Sequence, residues 1–169
     1  DWRTSILPSG LPFHRRVGNR MLDSLLVVRG ESCRTFRLGI GVDLPQAYSQ
    51  SMAFVADVPA RFENAAPPKG HTNSWLFHLN ARNVVATSWK PLMEAGQCVG
   101  LTVRLLETSG RPGKVRLAAF RSLLNAEQRD FKGDSLGSCR MEDGTAVVEM
   151  AAAEWLEVEA RWAGQAAEE

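Results

Sequence analysis

Metal chemistry would have to start from His14, His71 and His78, the three histidines of the chain. Zinc sites draw histidines at short helical or strand spacings, or a histidine with a nearby carboxylate or thiolate. None of the three has such a neighbour in sequence, which favours ordinary structural histidines over the jelly-roll metal enzymes, whose histidines cluster. Glycosidase chemistry needs two carboxylates facing each other across the scissile bond. Most acids here fall at turns (Glu142, Asp143) or on one face of a closing strand (Glu157, Glu159). Glu107 differs, because it ends the run VRLLE beside a Gly/Pro loop. A carboxylate in that place is a catalytic acid or, far more commonly, an acceptor for loop amides or a partner of Arg111 or Lys114. Cys33, Cys98 and Cys139 are odd in number and widely spaced, which argues for three reduced thiols, semi-buried on strands, rather than a disulfide framework or a zinc site. No G-x-S-x-G, phosphate-binding loop or Cys–His arrangement occurs. No catalytic, metal or cofactor-binding residue is therefore assigned.

The aromatic residues offer binding chemistry instead. Of five tryptophans, Trp75, Trp89 and Trp162 fall in strand patterns where core burial is expected. Trp155 falls on the polar face of the last strand, and Trp2 and Phe13 lie in an unperiodic opening stretch. These three are the candidate interface or sugar contacts, and an exposed aromatic marks an interface more often than a sugar platform. A net charge of +1 with scattered basic residues gives no footprint for nucleic acid. No apolar run approaches the ~20 residues that span a bilayer, so no membrane partner is expected. The chain opens on DWRTS, with no secretory signal in it, which reads as an internal or processed fragment. That opening and the unpaired cysteines point toward the cytoplasm.

The elements that must carry these residues are mostly strands. GLTVRLLE alternates Leu101, Val103 and Leu105 with Thr102 and Arg104, and after SGRPGK the run Val115, Leu117, Ala119 alternates again. The glycines and proline between them predict a hairpin with a long loop. EWLEVEARW puts Leu156, Val158, Ala160 and Trp162 on one face. MEDGT predicts a turn, because Asp-Gly is a strong hairpin signal. MLDSLLVV reads as a strand buried on both faces, and CRTFRLGIGVDL as one with Phe36, Leu38, Ile40, Val42 and Leu44 inward. Gly39 and Gly41 on the other face serve tight packing ahead of a ligand site. One short helix is expected over QAYSQSMAFVA after Pro45, and SLLNAEQRDFKGDSLGS reads as a turn of helix or crossover followed by loop. Eight or nine short strands imply an all-β fold, an antiparallel two-sheet sandwich with at most one or two short helices. The organisation expected is an extended lead-in over 1–20, a sandwich over 21–162 in one piece or in two sub-parts meeting near 60–74, and a tail over 163–169.

One stretch resembles a known family. Asn83, Val84, Val85, Thr87, Lys90 and Pro91, followed by Val103, Arg104, Leu105, Glu107, Gly110, Arg111, Gly113, Val115 and Leu117, resemble signatures of the C-terminal β-rich region of glycoside hydrolase family 38, the α-mannosidases. RMLDSLLVVRGESCRTFRLGIGVDLP upstream and SLLNAEQRDF downstream are similar to flanking family segments, with Ala126 interrupting the latter and its acid at Glu127. The family's divalent metal, usually zinc, and its nucleophile belong to an N-terminal α/β domain whose motifs this chain lacks. The resemblance therefore implies a non-catalytic β-sandwich domain with no cofactor of its own. It would pack on and support the catalytic domain of an α-mannosidase-like hydrolase, its main partner. A glycan is a second expected partner, and self-association follows if the docking face is bare. The rival reading is a free-standing carbohydrate-binding sandwich.

Overall fold

A computed structural model of the chain describes residues 3–11, 13–19, 21–56, 62 and 75–162. Trp2, His71, the Pro-rich stretch around 63–74 and the tail over 163–169 lie outside the described residues. The chain divides into two compact units, Asp1–Asn64 and Ala65–Glu169.

In the first unit, strand β1 (Thr4–Pro8) pairs antiparallel with β4 (Leu38–Val42), and β2 (His14–Arg16) with β3 (Leu22–Ser24). The single helix among the described residues, α1 (Ala47–Val55), follows Pro45 as its sequence suggested. Residues 4–8 and 14–16 are thus paired strands within the stretch expected to be an extended lead-in. The partner of β1 is distant in sequence, so no local period could reveal the pairing. Two further expectations change here. MLDSLLVV is a strand only over Leu22–Ser24, and Leu25 to Val28 are exposed. In β4 the glycine face is the packed one. A Cβ on Gly39 would meet Leu7 at 3.3 Å and the Phe54 ring of α1 at 3.4 Å, and one on Gly41 would overlap Leu44. Leu38, Ile40 and Val42 consequently point outward, Ile40 with 74% of its surface exposed.

The second unit is an antiparallel two-sheet sandwich. One sheet runs in the order β10 (Ser135–Ser138), β9 (Leu123–Arg129), β13 (Trp155–Trp162), β7 (Gln97–Glu107), β6 (Val84–Glu94). The other runs β11 (Arg140–Glu142), β12 (Thr145–Met150), β8 (Gly113–Ala119), β5 (Phe77–Leu79). All-β architecture with one short helix is what strand alternation implied. Side chains alternate sides along a strand, and those facing inward form one core. Leu101, Val103, Leu105, Leu156, Val158 and Ala160 from the first sheet meet Val115, Leu117, Ala146 and Val148 from the second. β13 and β7 approach so closely that a Cβ on Gly100 would stand 2.2 Å from the Ala160 carbonyl oxygen.

Asp143-Gly144 makes the expected tight turn between β11 and β12, with φ of 49° and 71°. Ala95-Gly96 does the same between β6 and β7, with φ of 47° and 79°. β7 and β8, however, are not a hairpin. They belong to different sheets, and the Gly/Pro loop at 108–112 carries the chain across the sandwich. Two alternating strands that face one core from opposite sides look like two paired strands in sequence. SLLNAEQRDF and SLGS are strands β9 and β10, with no helical turn between Ser122 and Arg129. Both ladders are irregular: a register shift between Arg161 and Trp162 interrupts that of β9 on β13, and one between Ser135 and Gly137 that of β10 on β9.

Candidate functional site

The most constrained polar residue is Glu107, which ends β7 with 1% of its surface exposed. Inward alternation along Leu101, Val103 and Leu105 brings its side chain to the end of the core, where only hydrogen bonds can compensate a buried charge. Oε1 accepts from Asn83 Nδ2 at 2.8 Å, from the Ser109 N–H at 2.8 Å and from the Ser109 hydroxyl at 2.5 Å. Oε2 accepts from the N–H groups of Gly110 at 2.8 Å, Arg111 at 3.1 Å and Ala153 at 2.9 Å. Burial opposes ionisation, but the bonds from Ser109, Ala153 and Asn83 outweigh it and hold the carboxyl far below the usual carboxylate range. Three separate segments converge on one carboxylate: the turn at 81–83, the crossover loop at 108–112 and the turn before β13. Gly110, at φ 70°, and Ala153, at φ 55°, take left-handed conformations that aim their N–H groups inward. Of the three roles open to Glu107 in sequence, catalytic acid, amide acceptor and ion-pair partner of Arg111 or Lys114, the geometry displays the amide acceptor. Each oxygen accepts three hydrogen bonds, and among the described residues no second carboxylate is bonded to it.

Trp155 lies on the outer face of the five-stranded sheet, as expected, with 48% of its surface exposed. Its cross-strand partner on that face is Leu106, and beyond that pair the face is charged and paired. Arg104 meets Glu157 at 3.0 Å, Arg129 meets Glu159 at 2.9 Å, and Arg161 bridges Glu159 at 3.1 Å and Glu94 at 2.6 Å. The Phe131 ring covers the Arg104 guanidinium at 4.7 Å. Trp155 and Phe131 are both exposed aromatic rings beside these ion pairs. Phe13 is exposed as well, next to β2 in the first unit.

His14 and Ser24 are opposite each other in the β2–β3 ladder, and His14 Nδ1 lies 2.9 Å from Ser24 Oγ. Its Nε2 lies 2.7 Å from the Leu11 carbonyl oxygen, which can only accept, so in the neutral ring Nε2 carries the proton and the Ser24 hydroxyl donates to Nδ1. The order of bonds is that of a base on a hydroxyl, but both residues are ladder partners on an exposed three-residue ribbon, and the bonds fasten that ribbon. His78 is exposed on β5, opposite Ala118. Among the described residues no three histidines, cysteines or acids are grouped to hold a metal ion. Cys33 and Cys98 are exposed free thiols and Cys139 is a buried one, its thiol pushed up by burial.

Trp162 is buried as its alternation implied, but Trp75 and Trp89 are not. Trp75 precedes β5 instead of belonging to it. Trp89 does face inward, opposite Val103. It is exposed because β6 is an edge strand of eleven residues and the facing edge strand β5 has only three. The signal was available only as a mismatch of strand lengths, which the sequence did not delimit. No protein-family model matches this chain, and no curated protein matches it.

Proposed function

We propose that this chain is a non-catalytic β-sandwich domain of an α-mannosidase-like glycoside hydrolase, packing on and supporting a catalytic domain. One observation carries the reading. The two segments that resemble the family signatures, around Asn83 and around Glu107, meet in a direct hydrogen bond of 2.8 Å. Gly110, from the same signature, donates to the same carboxylate. A recurring pattern of Asn, Glu and Gly is thereby given a physical reason, since each residue is needed to anchor one crossover loop. The hydrogen bonds of that pattern hold the shape of the loop, which suits a supporting domain. The half-exposed Trp155 suits a contact surface for the catalytic partner. The three free thiols fit a reducing compartment; no helix among the described residues is long and apolar enough to cross a membrane. The test is the coding sequence upstream of Asp1. An in-frame α/β domain with zinc ligands is expected, and a start codon directly before Asp1 would overturn the reading.

A further inference from the structure

At the end of the sandwich opposite Glu107, the five-stranded sheet overhangs the four-stranded one, and a cleft of about 450 Å³ opens between them. Its walls are the rings of Trp89 and Phe120, 54% and 47% exposed, with Pro91 beside Trp89. Its floor is Trp162. The Trp162 indole N–H donates to the Cys98 carbonyl at 3.0 Å, and its ring meets Phe120 edge-on at 5.3 Å and 70°. Two long polar side chains stand at the rim, Gln97 and Arg121, the latter with its guanidinium 5.2 Å from the Phe120 ring. We propose that this cleft binds a pyranose sugar.

The chemistry matches in each part. A pyranose has an apolar C–H face and a circumference of hydroxyls, so it suits a cleft with flat aromatic walls and hydrogen-bonding groups at the edge. Gln97 offers both donor and acceptor, and Arg121 a planar set of donors. The volume lies in the range of small-molecule sites and takes one or two sugar rings. Trp162 and Phe120 hold each other in place, which lowers the ordering cost of binding. A purely apolar occupant would leave the rim groups desolvated without partners. No carboxylate stands among the described residues that line the cleft, and the role proposed for it is binding. The inference goes beyond the proposed function and does not depend on it, because the described residues that line the cleft all belong to the second unit.

The test is titration of the full 169-residue chain, ¹⁵N-labelled, with methyl α-D-mannopyranoside and methyl β-D-glucopyranoside, reading the indole N–H resonances. Cyclohexanol serves as an apolar control of similar ring size. A saturable shift of the Trp89 and Trp162 signals is expected with at least one sugar, with a dissociation constant on the order of 1 mM because a single ring buries little surface. Trp89→Ala and Arg121→Gln should each weaken binding by about tenfold. Trp89 is half-exposed on an edge strand, and an unchanged amide spectrum elsewhere verifies that the variant folds. Absence of a saturable shift with both sugars overturns the proposal. So does a Trp89→Ala variant that titrates like the parent, or cyclohexanol binding as tightly as the sugars. Failure here leaves the larger-enzyme reading to its own test in the upstream coding sequence.

Discussion

Replacing Glu107 by glutamine removes one charge and one acceptor from a site that uses both. In the better of two orientations the amide oxygen takes the place of Oε2 and keeps the N–H groups of Gly110, Arg111 and Ala153. The amide nitrogen then faces the Asn83 NH₂ and the Ser109 N–H, donor against donor. The Ser109 hydroxyl can rotate to accept. Two donors thus lose their acceptor, at about 1–3 kcal/mol each where water is excluded, and three remaining bonds weaken from charged to neutral. Water reaches Ser109 and relieves part of this, so the expected loss is about 2–4 kcal/mol at pH 7. Urea unfolding would show it as a fall in midpoint on the order of 1–2 M. A pH series adds a second signature. The folded-state pKa lies below the unfolded value of about 4.3, so the unfolded chain takes up the proton first. The stability that ionised Glu107 contributes is complete above that value and is lost as pH falls toward the folded pKa. Glu107→Gln has no such titration, so the gap between the two proteins should narrow below about pH 4. A loss under about 0.5 kcal/mol at neutral pH, or a gap that stays constant into acid, would refute this role of Glu107.

Other variants probe the sandwich itself. Val158→Asp buries an unpaired charge at the centre of the core and should cost several kcal/mol, on the order of 3–5, in the same urea assay. Glu157→Lys on the outer face would set a cation against Arg104, so it should cost more than the roughly 0.5 kcal/mol of an ordinary surface change, yet far less than Val158→Asp. Equal midpoints for those two variants would mean the faces are reversed. Gly100→Ala has no room beside the Ala160 carbonyl and should lower stability by about 1–3 kcal/mol. Faster exchange of the β7 and β13 amides would locate the damage, and unchanged exchange would contradict the close approach.

The core of the second unit was legible because inward and outward positions differ in chemistry. Leu156, Val158, Ala160 and Trp162 alternate with Glu157, Glu159 and Arg161, and no other arrangement buries the first set while wetting the second. The Asp143-Gly144 turn was legible for a local reason, since left-handed φ angles favour that dipeptide. Pairing was not legible. Alternation in β7 and β8 reports which side faces the core and is silent on whether the strands share a sheet. The face of β4 was misjudged because apolar residues are assumed inward, whereas the glycines admit Leu7, Leu44 and Phe54 to the opposite side. Glu107 was visible as an unusual carboxylate beside a loop, with amide acceptance or pairing with Arg111 or Lys114 favoured over catalysis. Its bond to Ala153 was beyond reach, since that pair lies 46 positions apart and meets only when β13 is in register with β7. The Trp89 cleft was invisible for the same reason: it exists only as the difference in length between two edge strands.

The central claim, that this domain supports an α-mannosidase-like enzyme, is tested most directly by immunoprecipitation from the native source under non-denaturing conditions, with an antibody raised against residues 75–162. The precipitate should hydrolyse an aryl α-mannoside, lose that activity on chelation and regain it with zinc, while the purified 169-residue chain alone does not. A precipitate holding only an 18.6 kDa chain and no α-mannosidase activity would contradict the account.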